Sequence, residues 1–463
     1  MPAPPLVVAV SLTLLAGACS PGAAPPQAGV EGAARADTTL PGALRTAPVD
    51  ASPIRIRASD LPAPYASESA SRSPDVVAAP PDPVLRVPPG FAVQLWADGL
   101  SDPRWLAVAP DGAVILAESR GHRLRRLRDT DGDGVADRVG VLARRTDGLS
   151  LPMGLAFGDA AADGSADLFV GNTDEVVRFR YRPDRPLEGP PERLAELPGG
   201  GYNQHWTRNV VRHGDSLYVT VGSRSNVDPE ELPRASVFRI GLDGSGRETV
   251  SFGLRNPVGL AFQPETGAPY TTVNERDRLG DDLVPDYLAR IGFEAGGEPM
   301  FFGWPYAYLT PDRLDPRRTR RDGRSERPDL AARTRTPDVL FQAHSAALGL
   351  AFYPADVSGL AAVGTSASGP PGRAFPPRYR GGAFVAMRGS WNRSAGTGYK
   401  IAFVPFEDGR PVGHYQDFVT GFLLDPGGPT VWGRPVGVLV LPDGSLLFTD
   451  EPGGRIFRVS WAG

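Results

Sequence analysis

Leu254-Arg255-Asn256-Pro257-Val258-Gly259-Leu260-Ala261-Phe262 carries the pattern that organises this chain: a polar lead, an apolar run, and a turn before the next apolar run. About fifty residues earlier, Gln204-His205-Trp206-Thr207-Arg208-Asn209-Val210 opens another copy of the same form. His205 and Arg255 therefore stand at corresponding points of neighbouring repeats. In a radial repeat, side chains at equivalent points converge on one axis. A histidine and several arginines around such an axis suggest a base beside an anionic ligand.

The form recurs six times. PRWLAVAPDG (103–112) is followed by AVILAES and RLRRL, and PMGLAF (152–157) by DLFVGN and EVVRFRY. TRNVV (207–211) is followed by SLYVTVGS and SVFRI, and NPVGLAF (256–262) by PYTTVNE and a run to about Ile291. ALGLAFYP (347–354) precedes GAFVAMRGS and YKIAFVPF, and RPVGVLVLPDG (434–444) precedes SLLFTDE and RIFRVSW. Short apolar runs between Gly, Pro and Asp turns are strands, and little helical periodicity competes with them. The expected class is all-β: a six-bladed β-propeller of four-stranded antiparallel blades, spanning residues 84–463. FAVQLWA (91–97) stands ahead of the first repeat and is expected to close the ring beside RIFRVSW, which removes an open sheet edge. A seven-bladed ring would need a blade within residues 292–343. That segment is mostly Arg, Asp, Pro and Gly.

The composition agrees. The chain has 463 residues, 41% of them hydrophobic, enough for a large core. A formal net charge of −4 gives no basic field for nucleic acid. The run Arg317-Arg318-Thr319-Arg320-Arg321 is interleaved with acids and prolines and reads as a solvated loop.

The N-terminus is expected to be a signal peptide of the lipoprotein type over residues 1–18. Leu6 to Ala18 is apolar, too short to span a bilayer comfortably, and ends in small residues before Cys19, the only cysteine. Cys19 resembles a lipidated first residue, which places the protein outside the cytoplasm on a membrane anchor. No internal disulfide is possible. Residues 19–83 read as an Ala/Pro-rich tether grading into a partly ordered lead-in.

HWTRNVV, LYVTVGSRSN, LRNPVGLAF, NERDRLGDDLVPDY, FGWPYAY, HSAALGLAFYP, RGSWNRSAGTGYKI and GRPVGVLVLPDG follow one another in order. In this the chain resembles the soluble sugar dehydrogenases that depend on pyrroloquinoline quinone (PQQ), closest to their sorbosone dehydrogenase-like branch. The resemblance implies PQQ and Ca²⁺ as cofactors and a sugar or polyol hydroxyl as substrate. It implies His205 as catalytic base and Arg255 and Asn256 beside the quinone oxygens. It places Arg388 and Arg434, with Arg208, Arg393 and Lys400, as basic partners of the PQQ carboxylates. Calcium would rest on the carbonyls of Arg276 and Asp277, with Glu275, Asp281 and Asp282 as nearby hard oxygen donors. Gln204 replaces the Asp that glucose-oxidising relatives carry before the histidine, which bears on substrate choice. No CxxCH haem motif is present, so electrons would leave to an external quinone or cytochrome.

Other residues were weighed on their own. His344 opens its repeat as His205 does and is placed to line the same pocket. His122, His213 and His414 sit among charged or turn residues and read as solvent-facing. Trp304 and Trp391 read as packing between blades. Asp129, Asp131, Asp133 and Asp137 surround a turn glycine like a calcium loop, although position twelve is Gly140 rather than Glu. Two rival functions keep the repeats without the redox chemistry: a non-catalytic propeller that binds carbohydrate or protein, and a calcium-dependent lactonase.

Overall fold

The computed structural model describes residues 42–199, 205–358 and 374–463. Cys19 with the apolar run before it, and Gln204, lie outside them. Among the described residues strands dominate, and the one α-helix is Pro328–Ala331.

Six antiparallel meanders carry the repeat. The first is Pro103–Val108, Val114–Glu118, Arg123–Arg128 and Arg138–Ala143; the second is Leu155–Phe157, Ala166–Gly171, Glu175–Tyr181 and Glu192–Glu196. The third is Val210–His213, Ser216–Val221, Ser236–Gly241 and Glu248–Phe252, to which Met300–Phe301 adds a parallel fifth strand. The fourth is Pro257–Phe262, Pro269–Val273, Pro285–Arg290 and Val339–Ala343; the fifth is Ala347–Phe352, Ala383–Met387, Lys400–Val404 and Gln416–Val419. The sixth uses both ends of the domain: Pro435–Val440, Leu446–Asp450, Arg455–Trp461 and then Phe91–Ala97, with Trp461 opposite Phe91 and Ile456 opposite Ala97. Residues 292–343 supply Met300–Phe301, a small hairpin and the last strand of the fourth meander, and no further four-stranded sheet.

The first strands of successive meanders lie against one another in order, and that of the sixth lies against Pro103–Val108 of the first. Second strands such as Val114–Glu118, Ala383–Met387 and Leu446–Asp450 are buried at every residue. Both of their faces meet a neighbour, so they read as continuous apolar runs rather than alternating ones.

The repeated glycine explains how closely the first strands approach. A Cβ on Gly154 would fall 2.1 Å from Val210 N, and one on Gly259 2.3 Å from Leu348 O. On Gly349 it would fall 2.5 Å from Val436 O, and on Gly437 2.2 Å from Arg104 O. Each contact is with backbone of the next meander. In the third meander Asn209 takes the place, and its Nδ2 donates to Val258 O of the fourth at 3.0 Å. At Gly259 and Gly437 the strand bulges, and a threonine of the second strand accepts the stranded amide: Thr272 Oγ1 from Gly259 at 2.9 Å and Thr449 Oγ1 from Gly437 at 2.8 Å. The same hydroxyls donate onward to Leu348 O at 2.8 Å and Arg104 O at 3.0 Å.

The partly ordered lead-in lies along the meanders, and an ordered strand begins within the stretch expected to be tether. Arg45–Pro48 pairs in parallel with Val84–Val87, Asp75–Val76 pairs with Thr430–Val431, and Ile54 bridges to Tyr415. Ile54 and Ile56 pack on the apolar clusters of the meanders, which fastens a segment of otherwise weak hydrophobicity.

Gly437→Ala should cost about 1–3 kcal/mol of unfolding free energy, the scale of overpacking against atoms that cannot yield. Gly140→Ala, where a Cβ meets nothing within 4 Å, should cost almost nothing. Urea denaturation of both variants checks this; equal losses would refute the account.

Candidate active site

Residues just before the first strands of the third to sixth meanders, and just after the second strands of the first, fourth, fifth and sixth, come together at one place. They enclose a cavity of about 380 Å³. His205, Arg255, Asn256, His344, Arg388 and Arg434 all line it, together with Arg104, Arg120, Trp206, Glu275, Asp277, Asp286, Trp391, Asn392 and Glu451.

His205 is 3% exposed, and its Nδ1 lies 3.0 Å from Ser223 O and 3.1 Å from Ser223 Oγ. Ser223 Oγ donates its own proton to Ser225 O at 2.6 Å. Nδ1 must therefore be the donor, which leaves the lone pair of the neutral ring on Nε2. Burial first, then the charges of Arg255, Arg208 and Arg234, hold this imidazole well below its usual pKa, so it is neutral at physiological pH. Its neighbour is fixed by a second close approach. A Cβ on Gly222 would fall 2.3 Å from Asn256 Oδ1 and 3.0 Å from His205 Cβ, so these two side chains crowd together over that glycine.

Arg255 donates from Nη1 to Glu275 O at 2.6 Å and from Nη2 to Asp277 Oδ2 at 2.6 Å. Asn392 Nδ2 bridges Asp277 Oδ1 at 2.7 Å and His344 Nδ1 at 3.1 Å, while His344 Nε2 meets Gly280 O at 3.1 Å. Both ring nitrogens of His344 are thus engaged by the wall. It orders the cavity and is not placed to move a proton. Asp286 accepts from Glu275 N at 2.9 Å and Ala346 N at 2.7 Å, joining the loops of the fourth and fifth meanders. Burial raises its carboxyl to about 7 against those hydrogen bonds.

Across the cavity Glu451 pairs with both Arg104 and Arg388. Burial opposes its charge, but the two guanidinium groups hold its carboxyl below the usual range. Arg434 is 8% exposed and donates only to backbone, to Arg388 O at 3.1 Å and Gly389 O at 3.0 Å. Among the described residues no carboxylate forms an ion pair with it. Burial, then Arg388, pull it down to about 9. Arg104 Nε, Arg255 Nε, Asn256 Oδ1 and Glu275 Oε1 are buried in the wall with no hydrogen-bond partner. A buried polar atom left without a partner costs about 1–3 kcal/mol, so this wall is built for a guest. Surplus buried guanidinium groups suit a multiply charged carboxylate, and the two orphaned oxygens suit a hard cation.

Several expected site residues are placed elsewhere. Lys400 ion-pairs with Asp417 at 2.6 Å and does not line the cavity. Arg208 turns inward to His205 O at 3.0 Å, Thr207 O at 2.8 Å and Pro198 O at 2.9 Å, shaping the loop that carries His205. Arg393 donates to Asp281 O at 2.6 Å and to Asp282 Oδ1 at 2.7 Å, which ties up that acidic pair outside the cavity. Of the two residues expected to offer calcium carbonyls, Asp277 lines the cavity and Arg276 does not; the Arg276 side chain is sunk between Glu275 and Asp315. The carbonyl of Asp277 already accepts from Arg317 Nη1 at 2.8 Å and Asn226 Nδ2 at 3.1 Å. Trp391 faces the cavity, whereas Trp304 is 3% exposed and donates to Asn226 O at 2.9 Å.

Sequence reasoning missed Arg104, Arg120, Asp286, Asn392 and Glu451. Their positions carried a signal: Glu451 follows its second strand as Asn274 and Glu275 follow theirs. Separately, Asp129, Asp131 and Asp133 bring ligand oxygens within 4.8 Å of one another in the hairpin between the last two strands of the first meander. Asp137 is turned to Thr130, whose amide donates to it at 3.0 Å.

The chain matches the TrAA12-like family over residues 85–287 and 317–462. It is similar in fold to the holo form of the pyranose dehydrogenase PQQ domain from Coprinopsis cinerea, at 20% identity over 84% of this chain and 100% of that one, TM-score 0.62. It is similar to the calcium structure of the Trichoderma reesei Carbohydrate-Active Enzymes Family AA12 protein, at 19% identity over 82% and 97%, TM-score 0.63. A PQQ-bound aldose sugar dehydrogenase from Streptomyces coelicolor aligns at 18% identity over 81% and 99%, TM-score 0.52. An uncharacterized protein of Borreliella burgdorferi is 27% identical over 389 residues, 81% of this chain and 90% of its own length. The motif sequence, the meander ring and the family match agree, and the chain belongs to the TrAA12-like family.

Proposed function

We propose that the six meanders are the blades of one six-bladed propeller, and that its cavity binds PQQ with Ca²⁺ to oxidise a hydroxyl of a sugar or polyol, sorbosone-type substrates included. One observation carries the reading: His205, with its tautomer set by Ser223, lies in a wall whose buried Arg434 has no carboxylate partner among the described residues. The names of the solved neighbours, which include a pyranose dehydrogenase PQQ domain and a PQQ-bound aldose sugar dehydrogenase, support it.

Arg434, Arg388 and Arg104 would hold the carboxylates of PQQ, and Arg255 and Asn256 its quinone oxygens. Glu275 Oε1 and Asn256 Oδ1 are the donors a calcium ion would find. When bound, PQQ supplies a quinone that takes up a hydride equivalent. The chain's own part is proton transfer and charge. Nε2 of His205 takes the proton of the substrate hydroxyl, and the resulting imidazolium keeps its Nδ1–H on Ser223 O. Arg255, anchored by Asp277 and Glu275 O, keeps a positive charge beside the site where negative charge grows. Electrons then leave to an external quinone or cytochrome.

The Asp129–Asp137 hairpin is proposed as a structural calcium site. A chelator should lower the melting temperature of the parent, and less so after Asp129→Ala; equal shifts would leave a plain turn. Export and anchoring through Cys19 are likewise proposed: Cys19→Ser should move the protein out of the membrane fraction, and unchanged fractionation would refute lipidation.

His205→Ala should keep PQQ binding and lose turnover by roughly 10²-fold or more, the scale of a positioned base. Arg255→Ala should weaken PQQ binding as well. Absorbance titration with PQQ beside dye reduction separates the two. Because the pKa of His205 is depressed, kcat/KM of the parent should hold level from about pH 8 to about pH 6, where an ordinary imidazole of pKa about 6.5 would already be mostly protonated. Unchanged turnover in His205→Ala would remove the mechanism.

A further inference from the structure

We propose that Ser73 and Pro74 form a substrate-specificity lip on this cavity, which admits a free or chain-end sugar ring and refuses a ring inside a longer chain. The proposal rests on the sugar-oxidising reading above and adds the size class of its substrate.

Both residues line the cavity, and they are the wall residues that come from the lead-in rather than from a meander. The chain is tied down on either side of them. Arg72 N donates to Trp391 O at 2.7 Å, and Asp75 N donates to Pro429 O at 2.8 Å. Arg72 Nη1 adds bonds to Gly427 O at 2.8 Å and Ser394 O at 3.1 Å. Further back, Tyr65 N donates to Leu279 O at 2.8 Å, and Asp281 N donates to Ser67 Oγ at 2.9 Å. The strap thus crosses the loops of the fourth, fifth and sixth meanders on its way past the cavity.

The contact with the fourth meander is tight. Gly280 has φ +116, and a Cβ there would fall 2.9 Å from Ser67 Oγ. Pro74 has a fixed φ and no amide to satisfy, so it makes a stiff edge. Trp391, whose carbonyl holds Arg72, is itself a cavity residue, so lip and wall are fixed to each other. A volume of about 380 Å³ lies near the low end of the ~300–1,000 Å³ of small-molecule sites, and cofactor and substrate must share it. A chain continuing past the reacting ring would have to displace a tethered edge. The family match begins at residue 85, so the strap lies outside the matched residues.

Two measurements test the lip. In the first, kcat/KM is compared for aldohexoses and their linear trisaccharides, glucose against maltotriose first. The parent should prefer the hexose, and Ser73→Gly/Pro74→Gly should shrink that preference by roughly tenfold, mainly through KM of the trisaccharide. Arg72→Ala, which loosens the strap from outside the cavity, should shift it the same way. An unchanged ratio in both overturns the proposal. In the second, Ser73→Cys is placed in a Cys19→Ser background and labelled with a maleimide, with and without PQQ. A hexose should slow labelling at position 73 several-fold; labelling that no hexose of the panel slows overturns the lip, whatever the activity. Absorbance titration of the parent with PQQ judges the cofactor reading separately: no uptake there refutes that reading, while hexose protection of position 73 still supports the lip.

Discussion

The site depends on a backbone contact. At Gly154, Gly259, Gly349 and Gly437 the first strand of one meander lies against the backbone of the next, with no room for a side chain between them. At Asn209 a side-chain amide makes the same junction by a hydrogen bond. Brought this close, the residues that precede the strands are delivered to one place. His205 lies four positions before Asn209, and Arg255 four positions before Gly259. A wider ring of the same sequence would hold them too far apart to share a guest. The junction threonines matter for the same reason, since Thr272 and Thr449 each satisfy a bulged amide and reach into the neighbouring meander.

The electrostatics of the cavity set its chemistry. Burying a guanidinium without a counter-charge is costly, and proteins ordinarily pair such groups. Here Glu451 satisfies Arg104 and Arg388 and Asp277 satisfies Arg255, while Arg434 makes do with two carbonyls. Burial first, and then the same positive surroundings, keep His205 neutral, which a proton acceptor near pH 7 requires. His344 stands one position further from its junction, five before Gly349, and Asn392 and Gly280 O occupy both of its nitrogens.

Much of this was legible in the sequence, because the repeat is local. The strand runs, the pairing of FAVQLWA with RIFRVSW, and the convergence of His205, Arg255, Asn256 and Arg434 all follow from short patterns at equal offsets. What stayed hidden depends on distant partners. The orientation of the Asp277 carbonyl is set by Arg317, forty residues on, and Lys400 is claimed by Asp417. Arg104 stands one position before the motif-glycine place, where Met153, Val258, Leu348 and Val436 of other repeats are apolar, so no shared offset pointed to it. Asp286 reads as one residue of a strand, and its burial is visible only when two loops close over it. The strap has the composition of a tether. Its order comes from hydrogen bonds to loops more than two hundred residues away, such as that between Ser67 and Asp281.

The most direct test of the central claim is a crystal structure of the protein with PQQ and Ca²⁺. The account predicts the cofactor in the cavity, a carboxylate of PQQ within hydrogen-bond distance of the Arg434 guanidinium, and its quinone edge toward Arg255 and Asn256. PQQ bound outside this cavity, or Arg434 still held only by the carbonyls of Arg388 and Gly389 in the loaded protein, would contradict it.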